Sequence, residues 1–174
     1  LERPLKIVLD PGNGTAALFC EKVFRAVGAE VVPLFCEPDP AFPNHFPNPS
    51  DMAAREAIRQ AVVETGADLG FSFDGDGDRL GVVDSGGKII WADRVLMLLS
   101  ADVLSRHPGT DVVFDIKCSH RLAAEILQNG GRPVMWKTGH SRLKAKLKET
   151  GALIGGEWSG HIVFQDRWYG FDDA

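Results

Sequence analysis

Lys6-Ile7-Val8-Leu9-Asp10-Pro11-Gly12-Asn13-Gly14 is a short apolar run cut off by a turn cluster, and its reading decides the rest. A buried-type strand that ends in a polar turn and gives way to helical spacing opens a βα unit. Beyond the turn, Ala16 to Val27 carries Leu18, Val23 and Val27 at helical spacing, with Gly28 as the stop. Glu30 to Phe35 reads as a second strand. Glu37 to Pro49 holds five prolines and must be an extended loop. Asp51 to Thr65 predicts a helix with Ala54, Ile58, Ala61 and Val62 on one face, and Asp68 to Phe73 a strand. Leu80–Val83 and Lys88–Trp91 flank Asp84-Ser85-Gly86-Gly87 as a hairpin.

The pattern then starts again. Asp93 to Arg106 predicts a helix broken by His107-Pro108-Gly109; Val112–Asp115 a strand; Ser119–Gln128 a helix; Pro133–Trp136 a strand; Ser141–Thr150 a helix. Leu153-Ile154 and Ile162-Val163-Phe164 read as strands around a glycine loop. The expectation is an α/β protein: two consecutive α/β units, 1–90 and 91–174, with mixed, mostly parallel sheets flanked by helices. Ligands of such sheets sit in loops beyond the carboxyl ends of strands, where the unusual residues of this chain fall.

Nineteen Lys+Arg against 24 Asp+Glu gives a net charge of −5, which argues against a nucleic-acid surface but leaves room for a small anion in a local positive pocket. No apolar run approaches the roughly 18 residues of a membrane span. Cys20, Cys36 and Cys118 are odd in number and widely spaced, so neither a disulfide framework nor a zinc site is expected, and a reducing cytoplasm fits. Leu1-Glu2-Arg3-Pro4 has no methionine and is no signal peptide; with Phe171-Asp172-Asp173-Ala174 at the other end, the chain reads as an excised fragment.

Phe71-Ser72-Phe73-Asp74-Gly75-Asp76-Gly77-Asp78-Arg79 sets three aspartates at alternate positions after an apolar strand. Carboxylates this close repel one another, and a divalent cation removes the conflict. Interleaved glycines let the backbone curl so that the side chains converge. Oxygen-only ligands favour Mg²⁺ or Ca²⁺. An EF-hand would need Gly and Glu where Arg79 and Ser85 stand. The competing reading is a polar surface turn. Arg79 either awaits a phosphoryl anion beside the metal or balances the aspartates.

Gly155-Gly156-Glu157-Trp158-Ser159-Gly160-His161 gathers a carboxylate, a hydroxyl and an imidazole on one loop. These groups suit sugar hydroxyls and a ring face, but a tight turn with a satisfied histidine would carry the same residues. Lys137-Thr138-Gly139-His140-Ser141 and Phe114-Asp115-Ile116-Lys117-Cys118-Ser119 each lead from a strand into a helix whose N–H groups suit an anion. Either could equally be a capped turn beside a solvated lysine. Asp10–Thr15 lacks phosphate-loop spacing and reads as a structural turn. Lys144, Lys146 and Lys148 read as a solvated helix face.

Asp74-Gly75-Asp76-Gly77-Asp78-Arg79, Lys137-Thr138-Gly139-His140-Ser141 and Gly156-Glu157-Trp158-Ser159-Gly160-His161, in this order and spacing, resemble the α-D-phosphohexomutases. The nearest likeness is to the bacterial phosphomannomutase/phosphoglucomutase group, and Arg167–Asp173 is similar too. The resemblance implies the second and most of the third domain of a four-domain enzyme: 1–90 with the metal loop, and 91–174 with the sugar loop, truncated at its C-terminus. It implies a reversible shift between hexose 1-phosphate and hexose 6-phosphate of glucose or mannose, through a phosphoserine and a 1,6-bisphosphate. Asp74, Asp76 and Asp78 match the Mg²⁺ ligands, and Arg79 an arginine beside the phosphoryl group. Glu157 and Ser159 match residues on sugar hydroxyls. Lys117, His140 and His161 match active-site residues that contact ligand or assist proton and charge handling.

Two departures follow from the same comparison. The family's Thr-Ala-Ser-His-Asn-Pro serine loop and its phosphate-clamping last domain, that is domains 1 and 4, are absent, so the fragment alone is expected to be inactive. Trp158 stands where the group usually has Met. The alternatives are a phosphoglucosamine mutase fragment and a non-catalytic divalent-cation-binding module.

Overall fold

The computed structural model describes residues 3–171; Leu1, Glu2 and Asp172-Asp173-Ala174, and with them part of both chain ends read above, lie outside the described residues. The chain divides into two compact units, one ending at Ile90 and the next beginning at Trp91.

In the first unit the strands are β1 (Lys6–Asp10), β2 (Glu30–Pro33), β3 (Leu69–Phe73), β4 (Leu80–Asp84) and β5 (Ile89–Ile90). They form one sheet in the order β2-β1-β3-β4-β5. β1 runs parallel to β2 and β3, while β4 and β5 return antiparallel. Alternate residues of β1 supply two cores. Ile7 and Leu9 pack with Ala16, Cys20, Val31 and Phe73. Val8 faces the opposite way onto Ile58, Val62 and Ala67. Both faces are covered, as a strand apolar on both sides requires.

The second unit repeats the plan. β6 (Asp111–Asp115), β7 (Arg132–Trp136), β8 (Ile154–Gly156) and β9 (Ile162–Phe164) lie in the order β7-β6-β8-β9, with β6 parallel to its neighbours and β9 antiparallel. Helices α3 (Ala92–Arg106) and α4 (His120–Gln128) bury Leu96, Val103, Leu104, Leu122 and Ile126 on one face. α5 (His140–Thr150) buries Leu143 and Leu147 on the other. In each unit, therefore, two parallel βα passages feed a hairpin edge.

Helix α2 (Met52–Thr65) begins on Asp51, whose carboxylate accepts the Ala53 N–H at 3.0 Å, and ends on Gly66 in the left-handed region. The passage before β2 differs from the sequence reading. Thr15–Leu18 is a 3-10 turn, and only Cys20–Ala26 is α-helix (α1). Leu18, Val23 and Val27 are exposed; Ala16 and Cys20 are buried and Phe24 packs against the same core. The small residues let this segment lie close to the sheet, and residues 16, 20 and 24 form its inner stripe. β2 ends at Pro33, and Phe35 turns the chain with a φ of 54°. On α5, Lys146 is no free solvated lysine: it pairs with Glu149 at 2.6 Å and lies 4.3 Å over the Trp136 ring. Among the described residues no helix is long and apolar enough to cross a membrane.

Candidate functional site

The loop after β3 is where the first unit gathers charge. Oxygen atoms of Asp74, Asp76 and Asp78 lie within 4.8 Å of one another. Asp74 is buried, Asp78 half-buried and Asp76 exposed, so the cluster opens outward from an anchored base. That base is built by the backbone: Asp74 Oδ1 accepts the N–H groups of Asp78 at 3.0 Å and Arg79 at 3.1 Å. Arg79 Nε donates to Asp74 Oδ2 at 2.5 Å, and its other arm reaches Asn48 Oδ1 at 3.4 Å. Gly77, with a φ of 81°, provides the curl that a side chain would resist. Hard oxygen donors in this number fit a small divalent cation rather than a soft one.

A second layer fixes the loop from behind. The Gly75 carbonyl accepts both the N–H and the hydroxyl of Thr15, at 3.0 and 3.1 Å. Gly14 is tight against it, since a Cβ there would stand 2.9 Å from that carbonyl oxygen. Asp10 is fully buried at the end of β1. It accepts the Gly12 N–H at 2.9 Å and meets His45 Nε2 at 3.0 Å. The Asp10 carboxylate raises the pKa of His45, and burial opposes it. The turn at Asp10–Thr15 and the proline-rich loop are thus the frame of the aspartate loop. Sequence reasoning passed over Asp10, His45 and Asn48 because each was read within its own segment.

In the second unit three loops meet at the carboxyl end of the sheet. Asp115, 1% exposed at the end of β6, ties them together. Its Oδ1 accepts from Trp158 N and from the Cys118 thiol, both at 3.1 Å, and its Oδ2 from the Thr138 hydroxyl at 3.0 Å. Burial, and then Asp115 beside it, pushes the Cys118 thiol up, which leaves it a poor nucleophile. Asp93, buried in the first turn of α3, accepts the Ser119 N–H at 3.0 Å. Neither Asp93 nor Asp115 was singled out in the sequence. A signal existed: KIVLD and DVVFD, each the second strand in its sheet, both end in a buried aspartate.

Glu157 is buried, with one oxygen accepting the Gly139 N–H at 2.5 Å and the other the Ser159 hydroxyl at 3.2 Å. The anion at the start of α5 is therefore the protein's own carboxylate. Each oxygen keeps a lone pair for a further donor. His140 stacks on His161, ring centroids 5.3 Å apart and 22° from parallel. Trp158 stacks on Trp91 at 5.8 Å and 15°. Lys117 is exposed two residues beyond Asp115. Glu157, Ser159, His161 and His140 are thus brought together, with Lys117 on the adjoining loop, while the aspartates and Arg79 form their own group in the first unit.

Residues 1–87 match the family described as phosphoglucomutase/phosphomannomutase, alpha/beta/alpha domain II, and residues 91–174 match its alpha/beta/alpha domain III. The chain is 54% identical, over all its 174 residues, to a phosphomannomutase/phosphoglucomutase of Pseudomonas putida, of which it covers 38%. It is 50% identical over its whole length to a phosphoglucomutase of Neisseria meningitidis, again covering 38%. A crystal structure of a phosphoglucomutase/phosphomannomutase family protein from Burkholderia thailandensis superposes with a TM-score of 0.95 at 53% identity, covering 99% of this chain and 38% of that one. The chain therefore spans little more than a third of the length of these relatives.

Proposed function

The chain belongs to the phosphoglucomutase/phosphomannomutase family, and from that premise we propose that it is the central part of a mutase interconverting hexose 1-phosphate and hexose 6-phosphate. In this reading residues 1–90 carry the metal loop, residues 91–174 carry the sugar loop, and the whole protein works in the cytoplasm on glucose or mannose phosphates. The carrying observation is the convergence of Asp74, Asp76 and Asp78 within 4.8 Å, with Arg79 bonded to the innermost of them.

Asp74, Asp76 and Asp78 would hold Mg²⁺, which when bound supplies positive charge against a phosphoryl group. The chain's own contribution is positional. Asp74 is locked by three N–H donors, so the innermost ligand needs no rearrangement before it acts. Arg79 binds that carboxylate through Nε and stays partly exposed, a guanidinium that phosphoryl oxygens could meet. Phosphoryl transfer depends on such charge placement more than on proton chemistry.

Glu157 and Ser159 are held against one another on the β8–β9 loop and would present acceptors and a hydroxyl to sugar hydroxyls. His140 and His161 stand as neighbouring imidazoles able to bond a phosphate or hold a proton, and Lys117 adds an exposed cation. The serine loop that would carry the phosphoryl group is not in this sequence, so the 174-residue chain alone is expected to turn over nothing.

The test is turnover by the full-length protein, with Mg²⁺, of glucose 1-phosphate, mannose 1-phosphate and glucosamine 1-phosphate side by side. Turnover of glucose or mannose phosphate supports the reading, and turnover of the glucosamine phosphate alone replaces it. Asp76→Ala is exposed and should leave the fold intact while lowering turnover on the order of 100-fold or more. Unchanged turnover in that variant would remove the aspartates from the metal assignment.

A further inference from the structure

Two of the three free cysteines come together inside the first unit. Cys20 opens α1 and is 6% exposed; Cys36 lies half-buried, three residues beyond β2. Both pack in the core over β1, with Ile7, Leu9 and Ala16. Cys36 Sγ lies 3.6 Å from the Leu9 carbonyl and 3.7 Å from that of Leu34. The two thiols share this core and act on one another electrostatically, Cys20 lowered and Cys36 raised. A surface cavity of about 390 Å³ beside α1 reaches Cys36, between Phe19, Glu21, Lys22 and Arg25 on one side and Pro38 on the other.

We propose that Cys20 and Cys36 are a reversible redox pair, which a hydroperoxide entering the cavity beside α1 converts to a disulfide. The cavity brings the peroxide to the pair past Cys36, and Cys20, whose thiol Cys36 holds below its ordinary value, attacks the distal peroxide oxygen. The S–O bond forms, the O–O bond breaks, and the alkoxide takes up the thiol proton and leaves as alcohol. Cys36, no longer held up by the Cys20 thiol, then attacks the sulfenic sulfur. The S–S bond forms, the S–O bond breaks, and hydroxide leaves as water with the Cys36 proton. Two thiols have been oxidised by two electrons and one peroxide reduced. Cys36 lowers the pKa of Cys20, while Cys20 and then burial raise that of Cys36; Cys20 is thereby the sulfur prepared for the first attack.

The third thiol is the internal control, since Cys118 is buried in the other unit against Asp115. The folded 174-residue chain would be treated with hydrogen peroxide, quenched by alkylation, and mapped by peptide mass spectrometry with and without dithiothreitol. The expected result is loss of two of three thiols, a Cys20–Cys36 linked peptide about 2 Da lighter than its parts, and recovery on reduction. Cys118→Ser should form the same link, and Cys36→Ser should leave Cys20 without a partner. Persistence of all thiols, oxidation to sulfinate without a link, or a link that forms only in denaturant would each overturn the proposal.

Discussion

Asp115 takes hydrogen bonds from a backbone N–H, a hydroxyl and a thiol, and those donors belong to three different loops. Removing the carboxylate leaves buried donors without an acceptor, a larger effect than the loss of any one bond. Asp115→Ala should destabilise the chain by about 3 kcal/mol, with Asp115→Asn milder because one acceptor oxygen remains. Urea unfolding followed by tryptophan emission checks this, and an unaltered midpoint for the Ala variant would show that the loops hold without it. The aspartates of the metal loop were legible in the sequence because carboxylates at alternate positions among glycines repel one another until a cation joins them. Asp115, Asp10 and His45 were not legible, since the partners that tie them to other loops, Thr138 and Trp158 for Asp115 and Asp10 with His45, lie 23 to 43 residues apart in the chain. Only folding makes such groups neighbours.

Two strands carry a glycine where a helix crosses them. A Cβ on Gly70 in β3 would stand 2.6 Å from Val62 of α2, and one on Gly155 in β8 would stand 2.7 Å from both Leu147 of α5 and the Val113 carbonyl oxygen. Side chains can give way; the backbone carbonyl of a packed central strand gives far less. Gly70→Ala should therefore cost about 1 kcal/mol and Gly155→Ala about 3 kcal/mol, read as the difference in urea midpoints. Equal effects would mean that the Val113 carbonyl gives way as readily as the side chains around Gly70. Most elements could be read from apolar runs and their stops, because turns at Gly66, Gly109 and Gly151 use residues suited to left-handed backbone. The segment from Ala16 to Val27 misled because Leu18, Phe19, Val23 and Val27 face outward. Its buried stripe is made of Ala16, Cys20 and Phe24, a pattern that hydrophobicity alone underweights.

Each unit has its own sheet and cores, so the repetition of strand order across the chain is a repetition of folding problems as well. The two-unit α/β plan was visible in the sequence, since the pattern of strand, turn and helix restarts after the hairpin. The buried Asp10–His45 pair gives the first unit a pH dependence of definite sign. The pKa of His45 is raised in the folded chain, so its stabilising contribution is complete below its ordinary value of about 6.5 and fades as pH climbs through the raised value. The stability gap between the native chain and His45→Gln should be wider near pH 5.5 than near pH 9. Amide hydrogen exchange of β1 and β3 would measure it. A gap that widens toward alkaline pH would mean that the imidazole is neutral in the fold.

All four tryptophans, at 91, 136, 158 and 168, and the lone Tyr169 fall after Ile90. Excited near 295 nm, the chain emits from its second half alone, and the half with the aspartates is optically dark. The stacked pair Trp91–Trp158 should couple its transitions into a circular-dichroism couplet carried by the loop that also bears Glu157 and Ser159. Light therefore distinguishes two events that turnover would merge: a sugar phosphate settling on that loop alters the couplet, and a cation settling on the aspartates does so only if the two halves talk to each other.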